Sequence, residues 1–244
     1  MVRKRLTKRR RTRRYARKRL SGGANTSQHT PVYPPTEIND LIAHVIYINL
    51  DKRTDRRAEI EAELSVFTPE KVTRMPGINA EQEGIAPSAA SAKAHVKALK
   101  MARDNKYTNV LILEDDAIWA NVDKAFPIFK RLVENPYDGI MLGGTQVDYD
   151  HDTYRIKSAW TASSYIVNQN YYDRLIEYLD KGISEYDPAV IKTYRESQRF
   201  AANSIMAAHH ADDNWFIVVP SFMVQRAGFS NIGKTRANYE GAFA

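Results

Sequence analysis

Val110-Leu111-Ile112-Leu113-Glu114-Asp115-Asp116 is the stretch whose reading decides the fold: four branched apolar residues run straight into three consecutive carboxylates. The apolar run is too short for a helix and reads as a buried strand. In an α/β protein such a strand ends at the rim of the sheet, where ligands bind. Three acids crowded at a covered rim repel one another. A hard divalent cation with oxygen ligands, magnesium or manganese, would neutralise them. A solvated acidic turn is the other reading, and these seven residues do not choose between the two.

Upstream, residues 44–50 (His-Val-Ile-Tyr-Ile-Asn-Leu) read as a second strand that breaks into a charged turn, Asp51-Lys52-Arg53-Thr54-Asp55-Arg56-Arg57. A helix with Ile60, Leu64 and Phe67 on one stripe follows. Arginines just past a strand suit a diphosphate, because a guanidinium pairs with phosphate oxygens through two parallel hydrogen bonds. They suit an exposed helix face with acidic partners equally well. The spacing predicts a further helix over 88–103, burying Ala92, Val96 and Leu99. Downstream, Val122, Phe126 and Phe129 mark a helix with Pro127 near its start. Residues 139–142 read as a short strand ended by Gly143-Gly144. A helix over 170–181 turns Tyr171, Leu175 and Leu179 inward, with Gly182 as its C-cap. Residues 215–220 read as a last strand. This is α/β alternation throughout.

Net charge divides the chain. The total is +7, yet residues 1–20 carry 12 Lys and Arg and no acid, leaving 24 basic against 29 acidic residues in the rest. The positive charge therefore belongs to a tail, expected to be disordered, which suits nucleic acid, an anionic membrane surface or an import receptor. Residues 21–40, with Gly22-Gly23, Pro31 and Pro34-Pro35, read as a linker. The absence of cysteine excludes disulfides and thiolate metal sites. No apolar run reaches the length of a membrane span and no signal peptide is apparent, so the expected location is cytoplasmic, with a nuclear or virion-associated one open through the tail.

The run from Tyr47 to Arg57 resembles the opening of glycosyltransferase family 25, the lipopolysaccharide and procollagen galactosyltransferase type. Further landmarks follow in order: Arg74-Met75-Pro76-Gly77-Ile78-Asn79-Ala80, then Ala94-His95, the Leu-Glu-Asp-Asp strand end, residues 162–167, and Val224-Gln225 with the segment to Ile232. Asn79-Ala80 stands where the family usually has Asp-Gly, and Ala94-His95 where it has Ser-His. The family's usual Gly-Cys before the acidic strand end is missing. The resemblance covers roughly residues 45–232.

It implies a GT-A fold, a Rossmann-like α/β domain over 41–235 with a mixed, mostly parallel sheet, and a C-terminal tail at 236–244. The implied reaction transfers a hexose, galactose or glucose, from a UDP-sugar to a hydroxyl of a glycan, lipid-linked glycan or protein, with inversion. Asp116 becomes the primary ligand of Mn2+ or Mg2+, and Asp115 its partner. Asn49, Asp51, Arg53, Arg56, Asn79, Glu114, Gly143 and Gln225 fall around the nucleotide. Asp213 is the implied base, with Asp212 and then Asp148 behind it. His209 and His210 stand close by for the metal shell, and Arg226 for the diphosphate. Two other classes stay open: an inactive glycosyltransferase-like binding module, and a metal-dependent hydrolase that uses the basic tail to hold nucleic acid.

Overall fold

The computed structural model describes residues 32–230, 235–237 and 242–244. The basic tail and residues 21–31 of the linker lie outside them. The first half of the described chain runs α1 (Ile38–Leu41), β1 (His44–Asn49), α2 (Thr54–Glu63), β2 (Val72–Pro76), α3 (Ala80–Glu83), α4 (Pro87–Asp104) and β3 (Asn109–Glu114). It continues through β4 (Ala117–Trp119), α5 (Val122–Val133), β5 (Gly139–Met141), β6 (Thr145–Tyr149), β7 (Ile156–Trp160) and β8 (Ser164–Asn168). The last part holds α6 (Tyr172–Ser184), α7 (Tyr194–Ser197), α8 (Ala202–Ala207), β9 (Trp215–Ile217), β10 (Met223–Gln225), β11 (Gly228–Ser230) and β12 (Thr235–Ala237).

Six strands form the central sheet, in the order β2-β1-β3-β8-β5-β9. β2, β1 and β3 pair in parallel, as do β5 and β9, while β8 runs antiparallel to both of its neighbours. The chain thus has the α/β class and the mixed, mostly parallel sheet expected of a GT-A-type domain. Both faces are covered, which is why β1 and β3 read as continuous apolar runs rather than alternating ones. Ile46, Ile48, Val110, Ile112 and Tyr165 pack with α4, α6 and α8 on one face. Val45, Tyr47, Leu111, Leu113 and Ile166 pack with α2 and α5 on the other. The alanines of α4 bring that helix close to the sheet, and Pro87 opens it at a position where a missing N–H costs nothing.

Several local expectations change. Pro127 lies in the second turn of α5 rather than at its start, on the exposed face of the helix. Gly182 does not cap α6 but lies inside it. A Cβ there would come within 2.6 Å of Ile205, so this glycine lets α6 and α8 touch. The strand expected over 215–220 stops at Ile217, and three further strands follow it. The β6–β7 hairpin was not expected; its turn is held by Asp150 Oδ1, which accepts from the Thr153 N–H and hydroxyl, each at 2.8 Å. Ile38, placed in the linker, is fully buried, and the 235/236 boundary falls inside β12. Among the described residues no helix is long and apolar enough to cross a membrane.

Candidate active site

All strands of the sheet except β8 point the same way, so the ends of β1, β2 and β3 share one rim. A cleft of about 520 Å³ opens there, and six of the predicted residues line it: Arg56, Asn79, Glu114, Asp115, Asp116 and Gln225. Asp115 and Asp116 are both 9% exposed, so this is no solvated acidic turn. They share one cation. Arg56 Nη1 lies 2.8 Å from Asp115 Oδ1 and 3.2 Å from Asp116 Oδ2. Buried Asn49 at the end of β1 donates its side-chain amide to Asp115 Oδ2 at 2.8 Å. Gln225 arrives because β10 pairs with β4, the strand directly after the acids. Its amide nitrogen is 3.4 Å from Asp116 Oδ1, and the Arg226 N–H donates to the Asp116 carbonyl at 2.7 Å.

The three acids do not share one environment. Burial pushes the Asp116 carboxyl up to about 7, reinforced by the charge of Glu114 and, less, of Asp115, with Arg56 opposing. For Glu114, burial works upward but His95, Ser91 and Arg56 outweigh it and hold the group below its usual range. Ser91 Oγ is 3.3 Å from Glu114 Oε1, and His95 Nε2 is 3.5 Å from the same oxygen. His95 is fully buried, with Nδ1 2.8 Å from the Tyr165 hydroxyl. It therefore backs Glu114 from beneath the cleft.

A small oxygen-loving ion fits this donor set in one way. Two carboxylate oxygens already converge on one cationic nitrogen, so the geometry of a shared positive charge is built in. Among the described residues no group of three or more His, Cys, Asp or Glu side chains is arranged to hold a metal alone. Two carboxylates with the remaining positions left to water and phosphate is how magnesium is commonly held beside nucleotides.

Other expected residues do not gather here. Asp51 is exposed and pairs with Arg74, while Arg53 pairs with Asp55. Arg226 turns to Glu63 at 3.0 Å rather than to a diphosphate. Asp148 is an exposed hairpin residue facing Lys157. Gly143 does not line the cleft. It packs against the backbone of Met223, where a Cβ would come within 2.1 Å of the carbonyl oxygen.

Asp213 needs the largest correction. It precedes β9, which runs parallel to β3 three strands away, so it lies at the opposite rim from the acids of β3. The Asn214 N–H bonding to Asp138, just before β5, marks that rim. Asp213 is 3% exposed and accepts from Tyr171 Oη at 2.5 Å and Arg174 Nη2 at 2.6 Å. It is thus buried in a hydrogen-bonded ion pair and does not line the cleft. Asp212 beside it is exposed and outside the cleft. His209 stacks on Tyr178 and His210 is buried against Trp215, where burial lowers its pKa to about 4; neither approaches the acids' cleft. Asp213→Asn is expected to cost about 2 kcal/mol in denaturant unfolding by weakening this buried pair. Nucleotide binding should stay at the wild-type level, and a selective loss of turnover at unchanged stability would return Asp213 to the chemistry.

Among the cleft residues to which the sequence reading gave no role are Lys52, Trp160, Tyr194 and Gln198. Trp160 ends β7, and the alternation of residues 145–149 and 156–160 around the Asp150 turn was the available signal for that hairpin. Nothing local marks Tyr194 or Gln198. Two non-glycine residues beside Trp160 have left-handed backbone, Gln146 at φ 50° and Thr161 at φ 99°. For a β-branched threonine this is strained, and such strain gathers at binding sites.

No protein-family model matches the chain, and no curated protein matches it. Among solved structures it is similar to one described as a mannose-1-phosphate geranyltransferase from Thermus thermophilus. That likeness has a TM-score of 0.43 and 10% sequence identity, and covers 72% of this chain and 72% of the other.

Proposed function

We propose that this chain is a cation-dependent glycosyltransferase that takes a hexose from a nucleotide-diphosphate sugar, most simply a UDP-hexose, and passes it with inversion to an acceptor hydroxyl. One observation supports this reading above the others. Asp115 and Asp116 aim at a single cationic atom inside a cleft of about 520 Å³, within the range of small-molecule sites. An acidic pair of purely structural purpose has no need of a cleft.

Magnesium or manganese held by Asp115 and Asp116 would supply Lewis-acid stabilisation of the departing diphosphate. Asn49 and Gln225 keep the two carboxylates aimed. Arg56 and Lys52 meet the phosphate oxygens, Arg56 turning from the carboxylates to do so. The slot formed by Leu50, Gly77 and Ile78, with Asn79 at its edge, receives the nucleoside. Glu114 is the acid of the trio that Arg56 does not hydrogen-bond, and in this reading it takes the acceptor's proton in place of Asp213.

Differential scanning fluorimetry with manganese, UDP and both together tests the reading. The joint addition should raise the midpoint by about 3 °C or more, beyond the sum of the separate shifts. Absence of any shift with both ligands would sink it. Glu114→Gln should keep the joint stabilisation and lose transfer. Joint stabilisation with no turnover of any UDP-sugar would leave a binding module.

A further inference from the structure

We propose that the half of the cleft built by β7, α7 and α8 is a subsite for an uncharged saccharide ring, with Trp160 as its stacking platform. Resting on the transferase reading above, this makes the acceptor a neutral glycan rather than a lipid or an amino-acid side chain.

Charge divides the cleft in two. Lys52, Arg56, Glu81, Glu114, Asp115 and Asp116, the charged residues that line it, all come from the β1, α3 and β3 side. The lining residues from the hairpin, from α7 and from α8 are all neutral. A phosphate, a sialic acid or an amine has no counter-charge in that half.

What the neutral half does offer is aromatic surface and amide donors. Trp160 is 39% exposed and Tyr194 54%; among the described residues they are the large exposed hydrophobics that line the cleft. An indole left in water at the mouth of a cavity is a face awaiting an apolar partner. The C–H face of a pyranose is such a partner, and its hydroxyls then point sideways. Gln198 Nε2 is buried beside this surface with no hydrogen-bond partner, an orphaned donor of the kind a hydroxyl satisfies. Asn203 adds a second amide to the lining. Left-handed Thr161 follows Trp160 directly and left-handed Gln146 is next to its cross-strand partner Thr145, whose Oγ1 sits 3.2 Å from Thr161 Oγ1. The hairpin thus holds Trp160 in the opening against backbone strain. A nucleobase also stacks on tryptophan, and the experiment separates the two.

Saturation-transfer NMR on the full chain at physiological salt would use methyl β-D-galactopyranoside, methyl β-D-glucopyranoside and methyl N-acetyl-β-D-glucosaminide as probes. Wild type, Trp160→Ala, Trp160→Phe and Gln198→Ala would be compared, with the manganese–UDP thermal shift as control. At least one pyranoside is expected to bind wild type and to bind Trp160→Ala about tenfold more weakly. Trp160→Phe should retain part of the affinity, and the manganese–UDP shift should persist in all variants. Binding of none of the three overturns the proposal, as does equal binding by Trp160→Ala. A Trp160→Ala variant that loses UDP instead of the saccharide assigns the platform to the nucleobase and overturns it too. If the saccharide binds but manganese and UDP do not, the subsite stands and the transferase reading falls.

Discussion

Asp116→Asn is expected to remove the joint stabilisation by manganese and UDP entirely, and to lower turnover of a UDP-sugar at least about a hundredfold. The same change should make the ligand-free protein more stable at alkaline pH. Burial, with the neighbouring charges of Glu114 and Asp115, raises the Asp116 carboxyl to about 7 from an unfolded value near 3.8. A carboxyl raised on folding binds its proton more tightly in the native state. Its favourable contribution is therefore complete below the unfolded value and is lost as pH rises through about 7. The wild-type protein in chelator should lose about 2 kcal/mol of stability between pH 5 and pH 8 that Asp116→Asn keeps. Parallel denaturant titrations at the two pH values measure this. Equal pH slopes in the two proteins would mean that the Asp116 carboxylate is not held against its will at this rim. The two halves of the prediction share one cause: a carboxylate that destabilises the empty protein is one that a ligand cation can relieve.

Gly143→Ala should lower stability by about 3 kcal/mol or more. The added methyl would meet the Met223 carbonyl oxygen at 2.1 Å and Ser221 at 3.1 Å, and a backbone oxygen cannot rotate away. β5 would be pushed from the segment that returns beside it. Leu142 accepts there from the N–H groups of Phe222 at 2.6 Å and Met223 at 3.0 Å, so both bonds are at risk. Met223 also opens β10, which carries Gln225 to Asp116, so the cleft should loosen together with the fold. Chemical denaturation is the measurement. Wild-type stability with weakened UDP binding would restore the nucleotide-contact role that the run of two glycines suggested.

The cleft residues readable from sequence are those whose position follows from local chain direction. Glu114, Asp115 and Asp116 are at the rim because they end a strand or follow it directly, and Arg56 is near them because it lies in the first turn of the helix after the neighbouring strand. Strand ends and the loops after them share an edge whatever the rest of the chain does. Asp213 failed for the complementary reason. Its acid-before-strand pattern looks catalytic by position in the chain, yet a residue that precedes a parallel strand belongs to the opposite rim. Its place follows only once β9 is known to run parallel to β5, and β5, through antiparallel β8, to β3. The β5–β9 pairing alone joins segments more than seventy residues apart in sequence.

From its amino-acid order alone, this protein's α/β class, the strand that ends in three acids and the helix that carries Arg56 were determined, because hydrophobic periodicity and strand-to-helix succession are local properties. That the acids are buried came from the tertiary structure. Tertiary structure alone decided that Arg56 Nη1 stands between the two carboxylates, that Gln225 closes on Asp116 through the β4–β10 pairing, and that Trp160, Tyr194 and Gln198 make a neutral wall opposite them. Those contacts depend on pairings between segments up to about a hundred residues apart, and long-range register leaves no imprint on the local pattern of side chains.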